Sequence, residues 1–284
     1  MATIYDIITE RIIDSLESGN IPWRKDWNDA AISWSTGKGY RGINALLLDK
    51  PGEYITWNQI KENGGTLRKG SKQRIVVLYK PVTYDAVVGE DDEIIDAGRT
   101  YMKPIRYYSV YHIDDVDGIE PRWTKENTIV DPVGEADKII NEYTSRAKLP
   151  VRHKEQNRAY YTPSTDTVTM PMRSQFKSQA GYYGTLFHEL THSTGHASRL
   201  NRSGVAEHCA FGSEGYGKEE LIAEIGAAML YSVCGLGEQP AIDNSAAYLR
   251  SWINTIRGDV KLIVTASNAA QKAADYIRGI SFAE

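Results

Sequence analysis

The chain has 284 residues, of which 41% are hydrophobic and 25% are charged, with a formal net charge of −4 at pH 7; these values are typical of a globular protein long enough for two domains. No apolar run reaches the ~20 residues that cross a bilayer, and Asp6, Glu10 and Asp14 interrupt the stretch where a secretion signal would be apolar. The two cysteines, Cys209 and Cys234, make no disulfide framework, so we predict a cytoplasmic protein without a membrane partner.

The charge is distributed unevenly along the first half of the chain. Between Arg24 and Lys80 there are 11 basic and 5 acidic residues, a local excess of six positive charges. The segment that follows has no basic residue and six acidic ones: Asp85, Glu90, Asp91, Asp92, Glu93 and Asp96. We interpret this pattern as a basic surface followed by an acidic loop.

The chain begins with a predicted amphipathic helix over residues 3–17, followed by an irregular stretch rich in aromatic and basic residues. Such a mixture suits single-stranded DNA, because bases stack on aromatic rings while cations follow the phosphates. The alternative is that the tryptophans belong to the core of a small domain and that the cations surround them. The predicted DNA-binding residues of this stretch are Trp23, Arg24, Lys25, Trp34, Lys38, Tyr40 and Arg41.

Short elements typical of an α+β domain fill the rest of the first half. We predict a buried strand at residues 75–79 and a partner strand at residues 106–113, with the acidic segment at the tip of the hairpin between them. A strongly basic run precedes the first of these strands. It extends the predicted DNA surface through Arg68, Lys69, Lys72 and Arg74.

A linker is predicted at residues 125–132, between a DNA-binding domain at residues 1–124 and a second domain at residues 133–284. The second domain begins with an amphipathic helix over residues 135–147, and residues 160–171 are predicted to form two strands about a turn. A strand in this place, just before the next helix, could hold an extended peptide by edge pairing.

The next helix carries the pattern His-Glu-x-x-His at residues 188–192. His188 and His192 are four residues apart, so their rings lie on one helical face and can bind a single Zn ion. Glu189 lies beside them, where it can accept a proton from water activated by the metal. The five-residue pattern also occurs by chance in unrelated helices, so a third ligand is needed to support it.

The third ligand is predicted in the helix over residues 218–233. Glu220 and Glu224 are one turn apart beside small apolar residues, and two carboxylates that enter a core need a cation. We assign Glu220 as the ligand and Glu224 as the group that orients a histidine; the reverse assignment and a solvated face for both stay open. Glu219 fits a solvated position better. His196 is placed at the rim, because three histidines spaced along one straight helix cannot reach one ion.

These residues together resemble the ArdC-type antirestriction proteins of plasmids, phages and integrative elements. The resemblance extends over residues 21–23, 39–45, 188–202, 219–224, 243–252 and 269–276. Ser193 departs from the pattern, since a tryptophan is expected there, and this change is expected to alter the rim of the metal cleft. The acidic segment has no counterpart in the pattern.

The resemblance implies a small N-terminal α+β domain that binds single-stranded DNA, followed by a mainly helical, zincin-like metallopeptidase domain with a short sheet. It also implies antirestriction, which shields incoming mobile DNA from restriction enzymes. The expected cofactor is Zn, with Mn or another divalent metal possible, and the protein substrate and oligomeric state are open. Tyr182, Tyr183 and His196 are candidates for stabilising the oxyanion. Two alternatives are a DNA-coating protein with a structural or inactive metal site, and a protease that acts on a host regulatory protein.

Overall fold

The computed structural model describes residues 2–25, 30–84, 87–88, 94–96, 99–123, 131–206, 214–236 and 246–281. Most of the predicted acidic loop and residues 125–130 of the predicted linker lie outside the described residues, as does Cys209. Cys234 is fully buried, as expected of a small apolar side chain. No helix in the described ranges is long and apolar enough to span a membrane.

The first half of the chain is a mixture of short helices and strands around one longer helix. Its elements are α1 (Ile4–Glu17), β1 (Ala31–Ser33), α2 (Ile43–Leu46), β2 (Gly52–Thr56), α3 (Trp57–Glu62), β3 (Thr66–Leu67), β4 (Arg74–Tyr84), β5 (Val87–Val88), β6 (Ile94–Asp96), β7 (Arg99–His112) and β8 (Val116–Asp117). Helix α1 begins at a capping box in which Thr3 and Asp6 satisfy each other's backbone amides. Its apolar stripe, which includes Ile8 and Ile12, is buried.

A four-stranded sheet in the order β1-β2-β7-β4 organises this half. The two predicted strands are its antiparallel pair β4 and β7, and both continue well beyond the predicted residues. Strand β2 pairs with the other side of β7, so the base of the hairpin is enclosed while its outer part is a two-stranded ribbon. The α+β class predicted for this half is confirmed.

The second half is mainly helical with a small sheet, as predicted. Its elements are α4 (Pro132–Ala147), β9 (Val151–Lys154), β10 (Tyr160–Thr162), β11 (Thr167–Pro171), α5 (Gln179–Ser193), α6 (Ser203–Ala206), α7 (Glu214–Cys234), α8 (Ala246–Gly258) and α9 (Leu262–Arg278). The predicted pair of strands is the antiparallel hairpin β10–β11, and Asp166 makes its turn in a left-handed conformation. Strand β9 pairs with β11 on the other side, so β10 is an edge strand of this sheet.

The largest apolar core contains residues from both halves of the chain. Ile8 and Ile12 of α1 pack in the same cluster as Leu221 and Ile225 of α7 and Ile263 of α9. A second core lies between α4, α5, α7 and the small sheet. Helix α7 therefore contacts the first half of the chain on one side and α5 on the other.

Candidate metal centre and predicted nucleic-acid surface

Helix α5 presents the two histidines from a well-anchored position. Ser178 caps its N-terminus by accepting a hydrogen bond from the Gly181 amide, and Phe187 and Leu190 are fully buried. The helix ends at Ser193, and the chain then turns so that His196 leaves the helical face. The His196 Nδ1 atom lies 2.8 Å from the Ser198 hydroxyl.

Three side chains bring potential ligand atoms together at the centre of a cleft. The Nε2 atoms of His188 and His192 are 3.1 Å apart, and each lies 3.5 Å from a carboxylate oxygen of Glu220. Two atoms bound to one tetrahedral ion at ~2.1 Å are separated by about 3.4 Å. Among the described residues, these three form the group of His, Cys, Asp and Glu side chains that could hold a metal.

The electrostatics of this group favour a cation. Burial alone would lower the pKa of His188, but the hydrogen bond to Glu220 and the charges of Glu189 and Glu224 outweigh it and raise the pKa to about 9. Glu189 itself is 7% exposed and lines the cleft next to the histidines. The donor set of two imidazoles and one carboxylate, with a further carboxylate beside it, is chemically suited to a catalytic Zn or a similar divalent ion.

Glu219 has the role that was predicted for Glu224, which is to orient a histidine. Its carboxylate lies 3.2 Å from the His192 Nδ1 atom and accepts a hydrogen bond of 2.9 Å from the Arg202 Nε atom. Burial alone would raise the pKa of Glu219, but the bonds from Arg202 and His192 hold it below its ordinary value. The prediction of a solvated position is wrong, because Glu219 is 5% exposed.

Glu224 is directed instead towards the first half of the chain. Its Oε2 atom is 4.0 Å from the Arg24 Nη2 atom, and that guanidinium lies 5.8 Å from the centre of the Tyr248 ring. The assignment of Glu224 as the carboxylate that holds a ligand histidine is thus corrected to Glu219. The physical reason is the rotation of α7, which points Glu219 at Arg202 and His192 and turns Glu224 away.

Small residues allow α7 to approach α5 closely. A Cβ atom added to Gly226 would lie 2.6 Å from the Thr191 Cγ2 atom, closer than packed atoms allow. The Thr191 hydroxyl is satisfied within its own helix by the Phe187 carbonyl, at 2.7 Å. This contact fixes the distance between the helix that carries the histidines and the helix that carries Glu219 and Glu220.

The metal cleft has a volume of about 440 Å³ and is bordered by the edge strand β10. Tyr160 and Tyr161 of this strand and Val205 of α6 line it together with the histidines. The Tyr161 hydroxyl donates a 2.8 Å bond to Asp166, whose other oxygen accepts a 3.0 Å bond from Arg199. Arg199 also donates to the Ser193 carbonyl at 2.7 Å, so the hairpin is tied to the end of α5.

Several expectations about the rim of the cleft are wrong. Tyr182 and Tyr183 pack in the second core and do not line the cleft, whereas Tyr160 and Tyr161, which the sequence analysis did not select, do. Ser193 is fully buried, with its hydroxyl 2.8 Å from that of Tyr143, so it does not form the rim. The signal that could have identified the tyrosines is their place in the strand pair that precedes the histidine helix and was predicted to hold a peptide by edge pairing.

The tryptophans predicted to stack on bases are buried. Trp23 is 3% exposed and packs edge-on against Trp252, while Trp34 is 4% exposed and donates its indole N–H to the Glu120 carbonyl. Arg122 covers the ring of Trp34, with its guanidinium carbon 3.4 Å from the ring centre. Both residues belong to the core, as the alternative interpretation stated, because they lie where folded elements meet.

Several predicted cations are also engaged within the protein. Arg74 is 4% exposed and pairs with Asp49 and Asp115, and the side chain of Arg24 is only 11% exposed. Burial lowers the pKa of Lys25 to about 8, and its ammonium donates to a backbone carbonyl. These three residues are not part of an open DNA surface.

The other predicted residues lie at the surface to different degrees. Arg41 pairs with Asp275 of α9, Arg68 with Asp117 and Lys72 with Asp49. Tyr40 is half-buried. The exposed cations of the predicted set without an ion pair in the described part of the chain are Lys38 and Lys69.

Comparisons with known proteins agree with this architecture. Residues 135–269 match the family model of a zincin-like metallopeptidase, and residues 2–111 match that of the N-terminal domain of the anti-restriction factor ArdC. The fold and the site thus define a zincin-like domain joined to an antirestriction N-terminal domain.

The chain belongs to the ArdC family of antirestriction proteins, as the resemblance predicted. The metal-free crystal structure of ArdC from plasmid R388 is 33% identical, with a TM-score of 0.71, and the match covers 99% of this chain and 100% of that one. The Mn(II)-bound crystal structure of the same protein is 37% identical, with a TM-score of 0.71 and 98% of each chain covered.

Relatives of other lengths contain the same region. Two DNA primases TraC of Escherichia coli are each 33% identical over 96% of this chain, which spans 20% of one relative and 27% of the other. Protein y4eC of Sinorhizobium fredii, named as uncharacterised, is 30% identical, with 96% of this chain and 91% of that protein covered.

Proposed function

We propose that this protein protects the incoming DNA of a mobile element, binds single-stranded DNA through its first half, and cleaves peptide bonds at a Zn site. The observation that carries the enzymatic part is the convergence of His188, His192 and Glu220 beside Glu189 in one cleft. The Mn(II)-bound structure of the related R388 protein supports a divalent metal. We place the protein in the cytoplasm, where the DNA that it would protect is found.

The metal, when bound, polarises the substrate carbonyl and makes water a stronger nucleophile. His188, His192 and Glu220 would hold it, and Glu219 fixes the ring of His192 through the Nδ1 atom. Glu189 accepts the proton of the attacking water and then returns it to the leaving amine. Glu189 lines the cleft beside both histidines, which places its carboxylate next to the predicted metal position.

The edge strand β10 supports a peptide as the substrate. Its residues Tyr160 and Tyr161 line the cleft and its outer edge has no partner strand in the described part of the chain, so an extended peptide could pair with it and pass over the histidines. The network of Tyr161, Asp166 and Arg199 holds this edge at a fixed distance from α5. Tyr160, which is 40% exposed, is the side chain of this strand best placed to contact a substrate.

The test of the peptidase is Glu189→Gln, assayed against a library of peptides with the metal content measured in parallel. We expect full metal occupancy and a loss of cleavage of at least ~100-fold, since general acid–base catalysis contributes about 10²–10⁴-fold. Glu142→Gln, an exposed glutamate on α4, is the matched control. Undiminished cleavage by a metal-loaded Glu189→Gln protein would exclude the assigned role.

A DNA-coating protein with a structural metal is the second candidate, and the likeness to two proteins named DNA primases favours a role in DNA transactions. The DNA-coating candidate differs from the peptidase in one measurable outcome: the Glu189→Gln protein would protect transferred DNA from restriction as well as the wild type does. Binding of single-stranded DNA itself is tested by anisotropy with a labelled oligonucleotide at two salt concentrations, because contacts with phosphates weaken as salt rises.

A further inference from the structure

The outer part of the β4–β7 hairpin presents one face that contains none of the residues predicted to bind DNA. Directly paired residues on neighbouring strands lie on the same side of a sheet, and the pairs here are Val76 with Tyr108, Leu78 with Arg106, and Lys80 with Lys103. Because side chains alternate along β4, these three pairs share one side. Val76 is buried, and we call the other five residues of these pairs the ribbon face: Leu78, Lys80, Lys103, Arg106 and Tyr108.

A β-bulge aligns the cations of this face. Arg106 and Lys103 are three residues apart, an odd spacing that would place them on opposite sides of a regular strand. The register shifts between Leu78 and Tyr79, where Ile105 is the extra residue of β7. The shift returns Lys103 to the side of Arg106, which is the kind of redirection that bulges produce.

The ribbon face is open, whereas the opposite face is partly covered. Leu78 is 37% exposed and Tyr108 is 38% exposed, and the three cations are exposed as well. On the opposite side, Val77 is 4% exposed and lies in the main core, against which Tyr79 packs. Tyr107 and Met102, which pair with Val77 and Pro81 on the opposite side, are also exposed, at 41% and 54%. The ribbon face therefore differs from the opposite face by its cations rather than by its exposed apolar side chains.

The charge of this face has one sign. Neither β4 nor β7 contains an acidic residue. Within the described ranges, Lys80, Lys103 and Arg106 have no ion pair, in contrast to Arg68 and Lys72. The Arg106 guanidinium carbon lies 6.0 Å from the centre of the Tyr108 ring, so a cation and a ring are presented side by side.

We propose that the ribbon face is where this protein binds single-stranded nucleic acid. This inference rests on the DNA binding proposed above and moves it away from Trp23 and Trp34. An unpaired base stacks on Tyr108, and the phosphates follow the cations towards Lys80 and Lys103. Successive pairs are separated by about 7 Å along the strands, so the contacts form a line rather than a pocket.

The test uses the full-length protein and a fluorescein-labelled oligothymidine, with anisotropy recorded over a range of salt concentrations. Lys103→Ala/Arg106→Ala is expected to weaken binding and to reduce the slope of log K against log salt by about 1.4, because each lost phosphate contact contributes about 0.7. Tyr108→Ala is expected to weaken binding by about 5-fold to 150-fold, and Tyr108→Phe to retain it, because the ring does the stacking.

The matched control is Arg152→Ala/Lys154→Ala, which removes one arginine and one lysine from the exposed strand β9. It should leave the affinity and the salt slope unchanged. Thermal melting of each variant excludes unfolding as the cause of a loss, and Tyr108→Phe provides a folded comparison at the same position. Unlabelled duplex of the same length is added as a competitor, and it should displace the oligothymidine poorly.

Each contrary result has a distinct meaning. If wild-type protein shows no salt-dependent binding, the DNA-binding part of the proposed function fails. If the wild type binds and the ribbon variants bind equally well, the ribbon face is refuted while DNA binding stands. A loss of binding by Lys38→Ala/Lys69→Ala would then place the DNA surface at Lys38 and Lys69. If the ribbon variants lose only self-association in light scattering, the face is a contact between copies of the chain and the proposal is overturned.

Discussion

Replacing Glu219 by glutamine tests the structural assignment of the metal centre. The substitution keeps the shape of the side chain but removes the charge that lies 3.2 Å from His192 and 2.9 Å from Arg202. The amide can also present its NH₂ group to His192, which favours the wrong tautomer of the imidazole. We therefore expect a weaker metal site without any change in the ligands themselves.

The size of the effect follows from the two charged interactions of the carboxylate, with His192 and with Arg202. Partners that orient a ligand histidine typically contribute 10–100-fold to metal affinity, which corresponds to about 1.4–2.7 kcal/mol. Removing one partner of a buried ion pair costs about 3–5 kcal/mol of stability. Arg202 keeps hydrogen bonds to the Thr194 hydroxyl and the Thr191 carbonyl, so a loss of about 3 kcal/mol is expected.

The assay is a competition for Zn between the protein and a chromophoric chelator, at a temperature where every variant is folded. Glu142→Gln serves as the control for an exposed glutamate, and Glu224→Gln tests the assignment made from sequence. A Glu219→Gln protein with wild-type affinity, together with a weakened Glu224→Gln protein, would refute the structural assignment. The free energy of unfolding, measured in urea without metal, isolates the contribution of Arg202.

Three further substitutions test other parts of the structure. Trp23→Ala should destabilise the protein by about 3–5 kcal/mol, because it removes a core ring that packs on Trp252, and urea unfolding will measure it. Gly226→Ala should cost about 1–3 kcal/mol in the same assay, since the added methyl overlaps Thr191. Burial alone would raise the pKa of Asp49, but hydrogen bonds from two cations lower it to about 2. A group whose pKa falls on folding stabilises above its unfolded pKa of 3.8, so wild type should lose about 1 kcal/mol relative to Asp49→Asn as the pH falls from about 4 to 2, after discounting for exposure.

The histidine pair could be predicted from sequence because its geometry is local. A spacing of four residues on a helix places His188 and His192 on one face in any fold that keeps the helix. The choice between Glu219 and Glu224 is different, because the two positions are five residues apart, about 140° around the helix, and the rotation of α7 decides which of them faces the histidines. That choice depends on Arg202, which arrives from the turn after α5 and fixes the rotation of α7 through an ion pair.

The proposed DNA surface is harder to predict because composition does not report exposure. Trp23 and Trp34 have the residue type and the basic neighbours of a stacking surface, yet both are buried by elements distant in sequence. The ribbon face has fewer aromatic residues, and its cations come from two strands that are distant in sequence, so composition alone does not bring them together. It depends on strand register and on a bulge, and neither can be read from a single sequence.

The segments that resemble the family are explained in part by contacts between the two halves. Arg41 pairs with Asp275, and the Gly42 amide donates a 3.0 Å bond to the Gln271 side chain, so residues 39–45 contact residues 269–276 directly. A side chain at Gly42 would lie 2.8 Å from the Asn268 amide oxygen, and the φ angle there is +55°. Glycine is therefore required at this junction.

Helix α7, which carries Glu219 and Glu220, packs in a core that both halves of the chain share. Leu221 and Ile225, which follow the predicted ligand Glu220 on α7, are buried in the same core as Ile8 and Ile12 of α1, and Glu224 faces Arg24. Without α1 and residues 21–24, part of this shared core would be exposed to water, at a cost of roughly 1.5–3 kcal/mol for each large side chain that became exposed. We therefore expect the folded first half to support the orientation of Glu219 and Glu220 towards the histidines. A nucleic acid that bound the ribbon face could influence the cleft through this shared core, because the β4 strand that carries the ribbon face contributes Val77 to it.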